Sequence, residues 1–364
     1  MDSVVRGSRG ALVARALQGA WRDSPPLLII SEAELISIAP MMLASGAGPL
    51  TWWRIRDSPL AHLPAMRELH EAYRVQVLRY AVREREIEQV VGLLQSVDAE
   101  PVLCKGWAAA RLYPDMAVRP LGDIDIFVKP EQVSRAHAAL QGLRLGRGSA
   151  VDFQESATLA LYRADVRTMY NRASTVPMGD IPVKVLSPED HLSMLCVHFL
   201  GHGGWRPIWL CDIAAAMESL TESFDWQTCL GEDTRRAGWI LSALACAHEI
   251  LGAQLGAPPF DLLYSQAAPR WLAPTVLKQW DVPYAPMSDG IIGYTAPMAS
   301  YWRRPIGVWS ALRERWPSPI TATIRVEGPI NDVPRLLFQL AYAALRCKQF
   351  VTATRNPLYK FPER

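Results

Sequence analysis

Apolar positions recur every three to four residues through most of this chain and alternate over only a few short runs, which predicts a largely helical protein around one small sheet. Residues 1–62 hold short apolar stretches broken by Pro25, Pro26, Pro40, Gly46 and Pro49, the pattern of short helices. From Pro64 to Val97 the chain is rich in Arg, Glu, Leu and Val and meets no further Gly or Pro until Gly92, so one long amphipathic helix is expected there. Pro101 to Cys104 is then a short apolar run ending at Lys105-Gly106, followed by the small-residue stretch Trp107 to Leu112 and by Ile124-Asp-Ile-Phe-Val128. Strand, turn and helix, strand is the expected order. Pro130 opens a helical stretch from Glu131 to Leu143, a third strand is expected at Ala150 to Gln154, and further extended runs fall near Thr175 and at Ile181 to Leu186. Ser187-Pro188-Glu189-Asp190 reads as a helix start, with Ser as the cap and acids where the helix dipole favours them. Beyond it, helical stretches alternate with Pro and Gly breaks to about Arg355. The expected organisation is a helical region at 1–94, an α/β core at 95–186 and a helical domain at 187–364.

Composition narrows the class. With 364 residues, half of them apolar and a fifth charged, the chain has material for about two globular domains and is no disordered tail protein. Its 38 Lys and Arg against 36 Asp and Glu leave a net charge of +2, so any anion site is local, and no global field draws in nucleic acid. The six cysteines form no CxxC and no short spacing, which suggests neither a disulfide framework nor a zinc knuckle and points to a reducing compartment. The start MDSVVRGSRG has no apolar core of a signal peptide, and the most apolar segment, Leu27 to Leu50, is interrupted by Glu32, Glu34 and Pro40. A cytoplasmic protein without membrane attachment is expected.

The sharpest candidate chemistry is Asp123-Ile-Asp125. Residues two apart on a strand share a face, so the two carboxylates would project together, a costly pairing unless a cation sits between them, and a hard divalent ion suits carboxylate oxygens. Two acids on the solvated face of an edge strand would give the same spacing. The surroundings favour a site: Gly106 lies at a strand-to-helix turn where a missing side chain admits a phosphate to backbone N–H groups, and Lys105 and Arg119 flank the unit with the charge to neutralise a polyphosphate.

These residues carry a resemblance. Leu103-Cys-Lys105-Gly106-Trp-Ala-Ala, then Leu112-Tyr113-Pro114, then Arg119-Pro-Leu-Gly-Asp123-Ile-Asp125-Ile-Phe-Val resembles the signature of the uncharacterised bacterial nucleotidyltransferases of the polymerase-beta-like superfamily, often encoded beside natural-product or surface-polysaccharide genes. The resemblance implies an α+β fold with a small mixed sheet flanked by helices, and helical regions on both sides of that core. It also implies two Mg²⁺ (or Mn²⁺) ions, an NTP co-substrate, and transfer of a nucleoside monophosphate to an acceptor. Asp123 and Asp125 would be the shared metal ligands, and Lys105, Gly106 and Arg119 the phosphate contacts. The family's third carboxylate, followed by Leu-His-Trp, has its nearest match at Asp152, although Gln154 and Glu155 replace the His and Trp. A small molecule, peptide or sugar is the favoured acceptor. The alternatives are a catalytically degenerate NTP- or partner-binding protein of the same fold, and a toxin-like transferase acting on tRNA.

Further along, His191, Leu195, His198 and His202 share one face of the helix after Ser187, and the next helix carries Trp209-Leu-Cys-Asp212. A hydrogen bond from His198 to Asp212 tying the two helices is expected rather than a zinc site, with a supporting or acceptor-site role for His202 as the other reading. Trp205, Trp209, Trp226 and Trp239 are expected to fill the core rather than to stack on a base. The C-terminal Arg303, Arg304, Arg313, Arg315, Arg325, Arg335, Arg346 and Lys348 are read as a solvated face, with an acceptor cleft as the other reading.

Overall fold

The computed structural model describes residues 7–146, 150–153, 166–254, 268–283 and 316–354. Gln154, Glu155, Arg303, Arg304, Arg313 and Arg315 lie outside them. The protein is α+β, a five-stranded mixed sheet surrounded by helices. Helices α1 (Arg9–Leu17), α2 (Glu32–Ser45) and α3 (Gly48–Ile55) precede the long α4 (Arg67–Gln95), so the expected long helix starts one short 3₁₀ turn later than Pro64. The core follows as β1 (Val102–Leu103), α5 (Gly106–Ala110), β2 (Ile124–Phe127), α6 (Val133–Leu140), β3 (Val151–Phe153), α7 (Val166–Arg172), β4 (Ser174–Met178) and β5 (Ile181–Val185). Then come α8 (Pro188–Gly201), α9 (Pro207–Glu218), α10 (Trp226–Leu230), α11 (Thr234–Leu251), α12 (Leu272–Gln279), α13 (Pro319–Arg325) and α14 (Leu336–Thr354). No helix among the described residues is long and apolar enough to cross a membrane.

The strands run in the order β3-β2-β1-β5-β4. β1 is antiparallel to β2 and parallel to β5, β2 is parallel to β3, and β4 closes the far edge as a hairpin on β5. Period-two alternation sorts the side chains onto two faces. Leu103, Ile124, Ile126, Val183 and Val185 pack with Ile87, Val90, Val91 and Leu94 of α4, while Val102 and Phe127 join the larger core built by α8, α9 and α11. The sheet is therefore buried on both sides, and Asp125, between Ile124 and Ile126, must project toward the α8 and α9 side. Ser187 caps α8 by accepting from the Asp190 N–H, and Asp190 in turn receives two N–H bonds from Arg172 at 2.9 and 2.7 Å, fixing the start of α8 to the end of α7.

Candidate active site

The site forms where β1 ends. The Cys104 N–H donates to the Asp125 carbonyl at 3.0 Å, and the next residue, Lys105, turns the chain sharply with φ +53° and ψ −132° before α5 begins. That backbone region is costly for a residue with a Cβ. The positive φ of this turn falls on Lys105, not on the glycine that follows it. The turn is tied on both sides, by the Cys104 N–H to Asp125 and by the Ala109 N–H donating to the Lys105 carbonyl at 2.8 Å, and Lys105 Nζ lies 2.7 Å from Asp125 Oδ1 with both side chains largely buried. Gly106 opens α5 beside the two aspartates: a Cβ there would make ordinary contact, 3.7 Å from the Asp123 carbonyl and 3.8 Å from Asp125 Oδ2.

Asp125 and Asp152 are direct partners across the parallel pair β2 and β3, and Val151 and Phe153 pack with Ile124 and Ile126 on the opposite face. The two carboxylates thus leave the sheet side by side on its α8 and α9 face. Burial raises the pKa of Asp125, the Lys105 ammonium opposes that shift, and the neighbouring Asp152 adds to it. Asp123 stands just before β2 and is exposed, as is Asp152. Among the described residues no three His, Cys, Asp or Glu side chains converge into a ready cage for a metal.

Arg119 is positioned by a second polar cluster. Its Nε and Nη2 donate to Oδ1 and Oδ2 of Asp212 at 3.3 and 2.8 Å, its Nη1 donates to the Pro120 carbonyl at 2.9 Å, and the Tyr113 hydroxyl donates to Asp212 Oδ1 at 2.8 Å. Asp212 is fully buried and Arg119 nearly so. Burial alone would lower the arginine's pKa, and the Asp212 carboxylate more than reverses this; burial and the same carboxylate push Tyr113 well up. The expected His198 to Asp212 bond is not made. Asp212 on α9 points toward Tyr113 and Arg119 in the α5 to β2 connection, and a buried arginine with two parallel N–H groups outcompetes an imidazole for it.

The chain matches the family described as uncharacterised nucleotidyltransferases through two overlapping segments, residues 36–163 and 143–252, which together span more than half its length. The chain belongs to that family. Nucleotidyl transfer, with a nucleoside triphosphate as donor, is therefore its general class of activity. No curated protein and no solved structure matches the chain.

Within this nucleotidyltransferase the matched segments contain every residue from Lys105 to Asp212 discussed above. The structure brings together Lys105, Gly106, Asp125 and Asp152, sets Asp123 beside them at the strand start, and ties Arg119 back to Asp212. Sequence reasoning missed Tyr113, whose signal was only its place in the Leu-Tyr-Pro motif. His198 lies instead against His202 and Trp209, at ring distances of 4.5 Å each. Burial, then the nearby cations led by Lys105, hold its pKa well below the ordinary value, so it is neutral. Trp239 is a core residue as expected, Trp209 and Trp226 are partly buried and pack against the same core, and Trp205 is half-buried beside Trp209. Arg335 also departs from the solvated-face reading: it is buried, donates to the Pro329 and Val333 carbonyls, and lies over the Trp271 and Phe338 rings.

Proposed function

We propose that this protein transfers a nucleoside monophosphate from an NTP to an acceptor hydroxyl and releases pyrophosphate, with Asp123, Asp125 and Asp152 holding divalent cations in the core at 95–186 and the helices after 187 forming the other wall of the cleft. The single observation that carries this reading is the register pairing of Asp125 with Asp152, with a lysine ammonium against Asp125. Adjacent anions repel, and the donor set is all carboxylate oxygen, which suits Mg²⁺ or Mn²⁺. When bound, such an ion neutralises the triphosphate and lowers the pKa of the acceptor hydroxyl.

The chain's own residues do the rest. Lys105 balances Asp125, and its ammonium would also meet the negative charge that develops on the phosphates. Gly106, at the start of α5 beside Asp123 and Asp125, offers its backbone N–H to a phosphate. Arg119, three of whose donors are engaged, fixes the loop that delivers Asp123. In this reading Asp152, exposed beside Asp125, would accept the acceptor's proton. A small molecule, peptide or sugar suits as acceptor, because the near-neutral chain offers no field for tRNA.

Calorimetry of ATP and GTP binding with and without Mg²⁺ tests the reading. Affinity should depend on the metal, and the double variant Asp123→Asn, Asp125→Asn should lose it with circular dichroism unchanged. Undiminished metal-dependent binding in that variant would sink the assignment.

A further inference from the structure

Two polar side chains that the fold leaves uncompensated line one cavity. It has a volume of about 210 Å³ and lies between the end of α5, the edge hairpin of β4 and β5, the start of α8 and the end of α9. None of Lys105, Asp123, Asp125 and Asp152 lines it, but Arg111 and His191 do. Among the described residues, burial lowers the pKa of Arg54, Arg111, Arg236 and Arg335. Three of these are compensated by hydrogen bonds. Arg54 donates to the Gln18 and Pro26 carbonyls, Arg236 to the Leu230 carbonyl and the Ser193 hydroxyl, and Arg335 to the Pro329 and Val333 carbonyls. Arg111 has no hydrogen bond and no ion pair among the described residues, only the Trp107 ring at 5.7 Å. His191 is nine-tenths buried, and its Nε2 has no hydrogen-bond partner. The carboxylate that acts most strongly on it, Asp212, is already engaged by Arg119 and Tyr113.

A guanidinium that has lost part of its water and meets no carboxylate of its own chain is completed by an anion, and a carboxylate fits its two parallel N–H groups best. The rest of the wall sets what that anion is attached to, because Ala108, Leu112, Val176, Val185, Leu186 and Leu220 are all apolar. Size then bounds the molecule. A cavity of about 150 Å³ holds a benzene ring, and drug-sized ligands occupy roughly 300–1,000 Å³, so this one takes a ring or short chain with one acid group. We propose that the cavity is a second ligand site, separate from the carboxylates, for a small organic acid whose carboxylate rests on Arg111 and whose apolar body of about six to eight carbons lies against Leu112 and Val185. His191 is the polar neighbour of that acid group. A bare inorganic anion would leave the apolar wall uncovered, and a neutral apolar molecule would leave Arg111 uncompensated. The assignment does not depend on the nucleotidyl-transfer reading.

The test is calorimetry on the full chain without nucleotide or metal, using benzoate, phenylacetate and hexanoate as probes. Benzyl alcohol serves as the neutral counterpart of benzoate, and inorganic phosphate as the anion without an apolar body. At least one of the three acids should bind saturably and raise the melting temperature, with benzyl alcohol and phosphate at least about tenfold weaker. Arg111→Met should weaken that acid about ten- to a hundredfold. Arg111 is exposed enough for this change to leave the fold intact, which circular dichroism checks. Ser174→Trp, at an exposed strand position on the cavity wall, is the independent variant and should abolish binding of the acid by filling the space. If none of the three acids binds the parent, the site is refuted. Equal binding by Arg111→Met, or binding untouched by Ser174→Trp, refutes it as well. Phosphate bound as tightly as the acids would reduce Arg111 to a surface anion contact and equally overturn the assignment.

Discussion

The Nζ of Lys105 rests 2.7 Å from Oδ1 of Asp125 in a residue whose backbone adopts φ +53°, so one residue both neutralises the buried carboxylate and carries a strained turn. The two functions separate by mutation. Lys105→Ala keeps the strain and leaves Asp125 without its ion-pair partner in a buried setting, a loss of about 3 kcal/mol. Lys105→Gly removes the same charge but relieves the turn, and should be about 1 kcal/mol or more less destabilising than the alanine. Urea unfolding of both variants measures the difference. Adding Mg²⁺ should recover part of the loss in each, since a cation at Asp125 replaces the ammonium, and no recovery in either variant would count against a metal at this carboxylate.

The Arg119 and Asp212 pair is the most deeply buried ion pair the described residues contain, with side chains 7% and 0% exposed. Removing one partner strands a charge away from water. Arg119→Leu should cost about 3–5 kcal/mol, and Tyr113→Phe, which deletes one hydrogen bond to the same carboxylate, about 1.5–3 kcal/mol. The double variant Arg119→Leu, Asp212→Leu should recover much of the first loss. Additive losses in chemical denaturation would show that the pair is not coupled.

Much of this was legible from the chain itself. The alternation of Ile124, Asp125, Ile126 and of Val151, Asp152, Phe153 fixed which side chains face the core, because burial of one sheet face sets the parity. The cap at Ser187 and the long helix up to Gln95 followed from local chemistry. What escaped was set by tertiary pairing. A positive φ at Lys105 comes from the way the end of β1 is tied to β2 on one side and to α5 on the other, and no local propensity announces it. The partner of Asp212 depends on how α9 is rotated against the loop before β2, a relation that helical spacing of His198 cannot supply. Trp205 and Trp209 fit the same periodicity as the fully buried Trp239, and only their place at the α8 to α9 turn leaves them partly buried.

His191 offers a pH signature. Burial lowers its pKa to about 4, and its Nε2 has no partner. A histidine held neutral contributes stability that is fully present above its unfolded value near 6.5 and is lost as pH falls toward 4. Relative to His191→Leu, the parent should therefore lose about 3 kcal/mol between pH 7 and pH 4. Parallel curves of unfolding free energy against pH for the two proteins would show that His191 does not titrate in this way.

Asp152 bears on whether the site turns over. Its carboxylate is one of the causes that raise Asp125, so in the metal-free protein Asp152→Asn should move the Asp125 titration down, toward the ordinary carboxylate range. The sign for stability follows. An acid whose folded pKa is raised stabilises the fold most when protonated, and that contribution is lost as pH rises from about 4 through the folded value. The asparagine variant should lose less of it over the same window. Carboxyl-carbon NMR of Asp125 in both proteins reads this directly and does not depend on activity. For the reaction, removal of the group that accepts the proton should lower nucleotidyl transfer by about 10²–10⁴-fold, while ATP still binds in Mg²⁺. An unmoved Asp125 titration together with unchanged turnover would remove Asp152 from the site, leaving Asp123 and Asp125 as the only carboxylates for the metal and favouring a protein that holds its nucleotide without transferring it.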